Sequence, residues 1–343
     1  MAPTRPDPGH TYDTGFRLFV KTVRAACVVL AAVVYWITAS GPLGQARADE
    51  LPVPFPIWPG GIGPGSEGVA IRESVVERSA DPTLHDRYTL GITRPHLALY
   101  RPTHPNGTAL LVMPGGGYRW VVVDKEGDEI GRRLSAAGVT VFVLTYRLPG
   151  EGHAQAADVP LQDAQRALRL IRARAAEWGL DPHKVGAMGL SAGGHVAASL
   201  GTRYDAPVYA PVDAADQQSA RPDFLALIYP VASMDPAIAH KGSRSQLLGA
   251  TPTPAQDAAY STERAVTPQT PPTFLLHADD DPSVPVENSL RFYAALHAAK
   301  VPAELHIFRQ GGHGFGIRGA RGLPVAAWPD LYIAWVRGLG MMP

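Results

Sequence analysis

The sequence predicts an α/β structure: a mostly parallel central sheet with helices on both faces. Three observations carry that reading. Apolar runs of strand length alternate along the chain with stretches of helical spacing. The runs around Val141 and Leu227 are almost continuously apolar, as strands covered on both faces are. Two glycine-rich turns, Gly115-Gly116-Gly117 and Gly189 to Gly194, directly follow such runs, where sheets of this kind present their ligand-binding loops.

The expected strands are Leu97–Tyr100, Ala109–Met113, Val139–Tyr146, Val185–Gly189, Phe224–Tyr229, Thr273–His277 and Ala303–Phe308. Helical periodicity fills the intervals Asp128–Ala137, Leu161–Trp178, Ala192–Leu200, Val286–Ala299 and Asp330–Gly338. Leu51 to Gly68 is rich in Pro and Gly, so residues 49–95 read as an irregular leader packed on the domain, and 96–343 as the main α/β domain.

The N-terminus has a different character. Arg17, Lys21 and Arg24 precede an uncharged apolar run, Ala25 to Ala39, followed by Ala46-Arg47-Ala48. A positive flank, a short apolar core and an A-x-A site read as a secretory signal peptide over residues 1–48, cut after Ala48. The expected location is periplasmic or secreted, with no stable membrane association after cleavage. An uncleaved inner-membrane signal anchor is the alternative, although the run is short for a spanning helix.

Composition excludes several classes. The 343 residues carry a formal net charge of +0, with no charge run to hold nucleic acid. Residues 1–48 hold five Lys/Arg and two Asp/Glu, which leaves the remainder slightly acidic. Cys27, the single cysteine, lies inside the apolar run, so residues 49–343 contain no thiol, disulfide or cysteine metal ligand. No H-E-x-x-H or similar spacing appears, and neither a metal nor another cofactor is expected.

Gly189-Leu190-Ser191-Ala192-Gly193 is a G-x-S-x-G string. Its context matters more than the string: a short apolar strand precedes it and a small-residue helical stretch follows. That is the strand, sharp turn and helix that a nucleophile elbow requires, with Ser191 as nucleophile. Gly115 to Gly117 let a backbone approach a carbonyl oxygen and aim N–H groups at it. Gly116, Gly117 and Ala192 are therefore the candidate oxyanion donors.

A serine nucleophile needs a base and an acid, which in this architecture follow in the order serine, acid, histidine. Of the 12 histidines, only His297, His306 and His313 follow the acidic cluster Asp279-Asp280-Asp281. His297 sits in a helical pattern and His306 alternates in a strand. His313, framed by Gly311-Gly312 and Gly314-Phe315-Gly316, is the candidate base. Pro282 restricts Asp281 to extended or turn geometry, which gives its carboxylate a fixed exit. Asp280 remains the alternative acid. His195, on the helix behind the elbow, reads as structural.

With these residues in place, the chain resembles the bacterial acetylxylan and feruloyl esterase-like group of α/β hydrolases, related to the hormone-sensitive-lipase type. The resemblance runs from about Pro56 to near the C-terminus. It rests on Trp58-Pro59-Gly60, Pro114 to Tyr118, Lys125-Glu126-Gly127, Thr145 to Leu148, Gly189 to Gly194, Tyr229-Pro230-Val231, Gly242-Ser243-Arg244, Thr270-Pro271-Pro272, Asp281 to Pro285 and Gly312-His313-Gly314. The group's H-G-x-x-D-x-x-V-P pattern maps onto His277 through Pro285, with Ala278 in the glycine place, and so implies Asp281 as the acid. Lipase-type relatives begin the glycine run with His, where this chain has Pro114.

The resemblance implies ester hydrolysis: His313 takes the proton of Ser191, Asp281 orients the imidazole, and the expected partner is a small-molecule or polysaccharide ester. Tyr118, Trp120 and Glu126 are candidates for lining the alcohol or sugar side. A prolyl-oligopeptidase-type peptidase shares the triad logic but usually carries a β-propeller, for which the stretch before Gly115 is far too short. A glycosidase would need two facing carboxylates, for which Asp124 and Glu126 are the candidates. A non-catalytic carbohydrate-binding protein is the reading from another class.

Overall fold

The first strand to fix the architecture is Ala109–Met113 (β5), every residue of which is buried. The computed structural model describes Met1 and residues 51–343, so the signal-peptide reading of residues 1–48 lies outside the described residues. β5 pairs in parallel with Thr140–Thr145 (β7) on one side and Val185–Leu190 (β8) on the other. The parallel set continues through Leu225–Ile228 (β9), Thr273–Ala278 (β10) and Ala303–Phe308 (β11). At the opposite edge His96–Tyr100 (β4) pairs antiparallel with β7, and the two-residue Phe55–Pro56 (β1) antiparallel with β4. The eight-stranded order is β1-β4-β7-β5-β8-β9-β10-β11.

Alternation within the strands divides two cores. Leu111, Phe142, Leu144, Ala187, Leu227 and Leu275 face one layer, closed by Val159–Ala173 (α2), Ala192–Thr202 (α3) and Glu287–Ala298 (α6) through Leu168, Val196 and Phe292. Leu110, Val112, Val141, Met188, Ile228 and Leu276 face the other, covered by Glu129–Ser135 (α1) and Trp328–Gly338 (α7) through Ile130, Leu134, Trp328 and Tyr332. A strand buried on both faces has no polar side to show, which is why these runs are continuously apolar.

All seven expected strands and five expected helices are present; Ala109–Met113 and Ala303–Phe308 keep the expected ends and the others shift. The helix expected over Leu161–Trp178 ends at Ala173 and is followed by a 3₁₀ turn, Ala175–Trp178. The expectation of an irregular leader over residues 49–95 needs correction. It supplies β1 and two further strands, Ser74–Glu77 (β2) and Arg87–Leu90 (β3), which form a small antiparallel sheet with Val121–Val122 (β6). No boundary falls at residue 95, because Leu51–Pro343 forms one compact unit.

A buried polar pin ties the leader down. The Arg147 guanidinium, wholly buried, donates to Asp163 at 2.7 Å, to Gln162 at 2.9 Å and to the Pro64 carbonyl at 2.6 Å. Trp58 Nε1 donates to the same oxygen, Asp163 Oδ1, 2.8 Å away. Two short helices not read from the sequence, Lys241–Leu248 (α4) and Pro254–Tyr260 (α5), lie between β9 and β10.

Candidate active site

Ser191 stands at the turn between β8 and α3 with φ 54° and ψ −121°, a left-handed conformation that costs a non-glycine residue of order 1–3 kcal/mol. Surrounding hydrogen bonds hold it there: Ser191 N donates to Ile228 O at 3.1 Å, and Ser191 O accepts from Gly194 N and Val231 N, each at 2.9 Å. The flanking glycines are required by space. A Cβ at Gly189 would stand 2.1 Å from Gly193 O, and one at Gly193 would stand 2.0 Å from Met113 O.

His313 lies on the loop after β11. Its Nε2 is 2.8 Å from Ser191 Oγ, and its Nδ1 is 2.6 Å from Asp281 Oδ2. Asp281 follows β10, its side chain is fully buried, and its Oδ1 accepts from the amides of Ser283 at 2.8 Å and Val284 at 2.9 Å. Burial works against its charge, but His277 and His313 outweigh burial and hold the carboxyl well below the usual carboxylate range. Asp280 points elsewhere: its Oδ1 accepts from Gly311 N at 2.9 Å and Gly312 N at 2.8 Å, just before His313.

His277 belongs to this assembly, although the sequence reading gave it no role. Its Nε2 lies 3.0 Å from Val284 O, and a carbonyl can only accept, so that nitrogen carries the proton. The same nitrogen is 3.4 Å from Asp281 Oδ2, and Nδ1 faces the Ser289 hydroxyl at 2.7 Å.

The glycine run crosses the mouth of the site. Pro114 has no N–H, and Gly115 N donates to Glu126 Oε2 at 2.7 Å. The amides of Gly116 and Gly117 donate to no acceptor among the described residues. Ala192 opens α3, where the first amides lack intrahelical partners. Gly116, Gly117, Ser191 and His313 share a cleft of about 380 Å³, walled also by Trp120, Arg119, Lys125 and His240.

The three residues expected on the alcohol side separate. Trp120 lines the cleft, its ring 4.8 Å from that of Tyr88. Tyr118 does not line it, which corrects the reading: with φ 60° its ring turns into the core, and its hydroxyl meets His195 Nδ1 at 2.7 Å. Glu126 borders the cleft, but its oxygens are already engaged by Gly115 N and, at 3.1 Å, by the Tyr229 hydroxyl. Asp124, its partner in the glycosidase reading, is buried against Arg87 at 2.6 Å. His195 is structural as read: Nε2 donates to Tyr260 O at 2.7 Å, and burial lowers its pKa to about 4.

Among the described residues no cluster of three His, Cys, Asp or Glu is placed to hold a metal ion, and no helix is long and apolar enough to cross a membrane.

The sheet order, the strained serine at the end of β8 and the histidine loop after β11 are those of an α/β hydrolase. A family model, BD-FAE, matches residues 97–296, and the chain belongs to that family. An acetylxylan esterase of Xylanibacter ruminicola is 34% identical over 67% of this chain and 46% of its own length. An endo-1,4-beta-xylanase B of Butyrivibrio fibrisolvens is 36% identical over 61% of this chain and 32% of its own. The chain thus spans less than half the length of these curated relatives. Among solved structures, an acetyl ester-xyloside bifunctional hydrolase from Caldicellulosiruptor lactoaceticus shares 35% identity over 86% of this chain and all of its own, with a TM-score of 0.69. A carboxylesterase from Lactobacillus plantarum, 23% identical over 80% of this chain and 98% of its own with a TM-score of 0.61, is alike in fold.

Proposed function

We propose that this protein is an exported serine carboxylic-ester hydrolase that removes short acyl groups, acetyl above all, from carbohydrate esters. The observation that carries the reading is the continuous hydrogen-bonded chain from Ser191 Oγ through His313 to Asp281, with contacts of 2.8 and 2.6 Å. The similarity to an acetylxylan esterase and to an acetyl ester-xyloside hydrolase supports the acetyl-carbohydrate substrate.

These positions support a two-step acyl transfer. His313 Nε2 takes the proton of Ser191 as Oγ attacks the acyl carbon, and the buried Asp281 carboxylate stabilises the imidazolium that forms. The carbonyl oxygen becomes an oxyanion facing the amides of Gly116, Gly117 and Ala192, donors worth roughly 10²–10³ each in turnover elsewhere. The imidazolium returns its proton to the leaving alcohol, and an acyl-serine remains. Water then gives a proton to His313, attacks the acyl carbon and releases the acid and Ser191. Export rests on the Ala25–Ala39 run and Ala46-Arg47-Ala48, with Asp49 as the mature N-terminus.

The test is turnover of p-nitrophenyl esters from acetyl to octanoyl, alongside acetyl release from acetylated xylan, by protein recovered from an exporting bacterial host. Activity is expected to fall steeply with chain length, acetate to appear from xylan, and mass spectrometry to show Asp49 first. Increasing activity toward octanoyl would indicate a lipase-like acyl pocket. Glycan binding with no ester turnover would indicate a non-catalytic binding protein, and an intact Met1 species in the membrane fraction an anchor.

A further inference from the structure

His240 sits in the cleft wall with an unusually defined protonation pattern. It is the cap of α4: its Nδ1 is 3.1 Å from the amide nitrogen of Ser243 and 2.8 Å from the Ser243 hydroxyl. An amide N–H can only donate, so Nδ1 is the acceptor and the ring proton resides on Nε2. Nε2 has no hydrogen-bond partner among the described residues, and the imidazole borders the same cleft as Ser191 and His313.

Two glycines keep that edge of the ring bare. A Cβ at Gly242 would stand 3.1 Å from His240 Cε1 and 3.5 Å from Nε2, and one at Gly117 would stand 3.6 Å from Cε1. Burial, with His313 nearby, lowers the imidazole's pKa from its ordinary value against the opposing pull of Asp281, which favours the neutral ring with its one donor. Ser243 is fully buried, which fixes the cap and with it the ring.

We propose that His240 Nε2–H is a specificity-determining donor for a polyol leaving group, holding a hydroxyl oxygen of the saccharide beside the scissile ester. This deepens the reading of Ser191 as an esterase nucleophile and rests on it. The acyl oxygen is served by the amides of Gly116, Gly117 and Ala192, and the ester oxygen by His313. A further neutral donor at the cleft wall therefore needs an acceptor on the alcohol. A simple alkyl alcohol or p-nitrophenol has none on the carbon next to the ester, whereas a sugar carries a hydroxyl there. His240 is half-buried at the cleft wall, and once a bound substrate has displaced water from Nε2–H, an analogue without the hydroxyl leaves that donor unpaired, so the site discriminates against it.

The experiment uses the full chain and four substrates: acetylated xylobiose, a monoacetylated xyloside, its deoxy counterpart, and p-nitrophenyl acetate. Asn is a strong helix cap, so His240→Asn keeps an oxygen for the Ser243 amide while withdrawing the donor from the cleft. In the variant, kcat/KM on the acetylated sugars is expected to fall about 10- to 100-fold, and on p-nitrophenyl acetate to change less than about threefold. Wild type is expected to prefer the xyloside over its deoxy counterpart, and the variant to lose that preference.

Equal losses on sugar and aryl ester would overturn the proposal, because His240 would then act on the oxyanion or the fold. Unchanged values on every substrate, or a wild type indifferent to the deoxy change, would overturn it too. Wild-type protein inert on all esters would instead sink the esterase reading itself.

Discussion

Asp280 and Asp281 are neighbours in the chain, yet their carboxylates hold opposite sides of one imidazole's support. Asp281 Oδ2 meets His313 Nδ1 at 2.6 Å, while Asp280 Oδ1 accepts the amides of Gly311 and Gly312 at 2.9 and 2.8 Å. One carboxylate faces the ring and the other fixes the loop that carries it.

That division predicts different responses to conservative substitution. Asp281→Asn keeps the shape but removes the charge that stabilises the imidazolium, and turnover is expected to fall about 10⁴-fold, as for a triad acid elsewhere. Asp280→Asn keeps an oxygen for both glycine amides and is expected to cost less than about tenfold, whereas Asp280→Ala frees the loop and costs more. Steady-state kinetics on p-nitrophenyl acetate separate the three variants. The reverse ranking of the two Asn variants would move the triad acid to Asp280.

Local sequence rules carried the parallel strands and the sharp strand-to-helix turn that bears Ser191, because each signal there is dense. β5, β7 and β8 are apolar on both faces, and Ser191 stands where strand, glycine and helix signals coincide. The misses share a different cause. β2 is exposed at every position and β6 has two residues, so neither leaves a burial pattern to read. Tyr118 was misplaced because its positive φ, invisible in sequence, inverts the ring's direction. Glu126 sits in a π-helical turn, Asp124–Asp128, whose wider winding rephases the side chains that ordinary helical spacing would assign. His240 had a signal in Gly242-Ser243-Arg244, but a histidine acting as a cap has the same spelling as one in a loop. The α5 start was more legible: Thr253, Pro254 and Gln256 form a capping box with proline at the first turn.

The Arg147–Asp163 pair should be a stability determinant with little direct effect on turnover. Both side chains are wholly buried, and each also serves neighbours from the leader: Trp58 on Asp163, and Pro64 and Ser66 on Arg147. Removing one partner strands the other charge in the core, at a cost of about 3–5 kcal/mol. Asp163→Asn is expected to lower the denaturant midpoint by that equivalent while retaining kcat per folded molecule. A variant as stable as the wild type would show that water reaches the pair.

His195 makes stability depend on pH. Burial lowers its folded pKa to about 4, so between that value and its ordinary value near 6.5 the unfolded chain binds a proton that the native chain does not. The stability tied to neutral His195 is therefore present above about pH 6.5 and is lost at about 1.4 kcal/mol per unit as pH falls toward about 4. His195→Asn is expected to flatten that slope in urea titrations across the window, at the cost of the Tyr118 and Tyr260 hydrogen bonds. An identical slope in the variant would assign the dependence to another group.

Ser191 links strain to function, and two substitutions separate the terms. Its φ of 54° and ψ of −121° suit glycine, for which this is the mirror image of an ordinary extended conformation, but cost a serine of order 1–3 kcal/mol. Ser191→Ala keeps the Cβ and hence the strain, so its melting temperature is expected to stay near that of the wild type. Its turnover is expected to fall by about 10⁶, as for nucleophile removal elsewhere. Ser191→Gly loses the same activity but releases the strain, so it is expected to melt higher than both, with the gain partly offset by the greater freedom of glycine when unfolded. Calorimetry of the three proteins at one pH reads the difference. A glycine variant that melts below the alanine variant would mean that the elbow is held without strain. Near-native turnover in either would remove Ser191 from the chemistry.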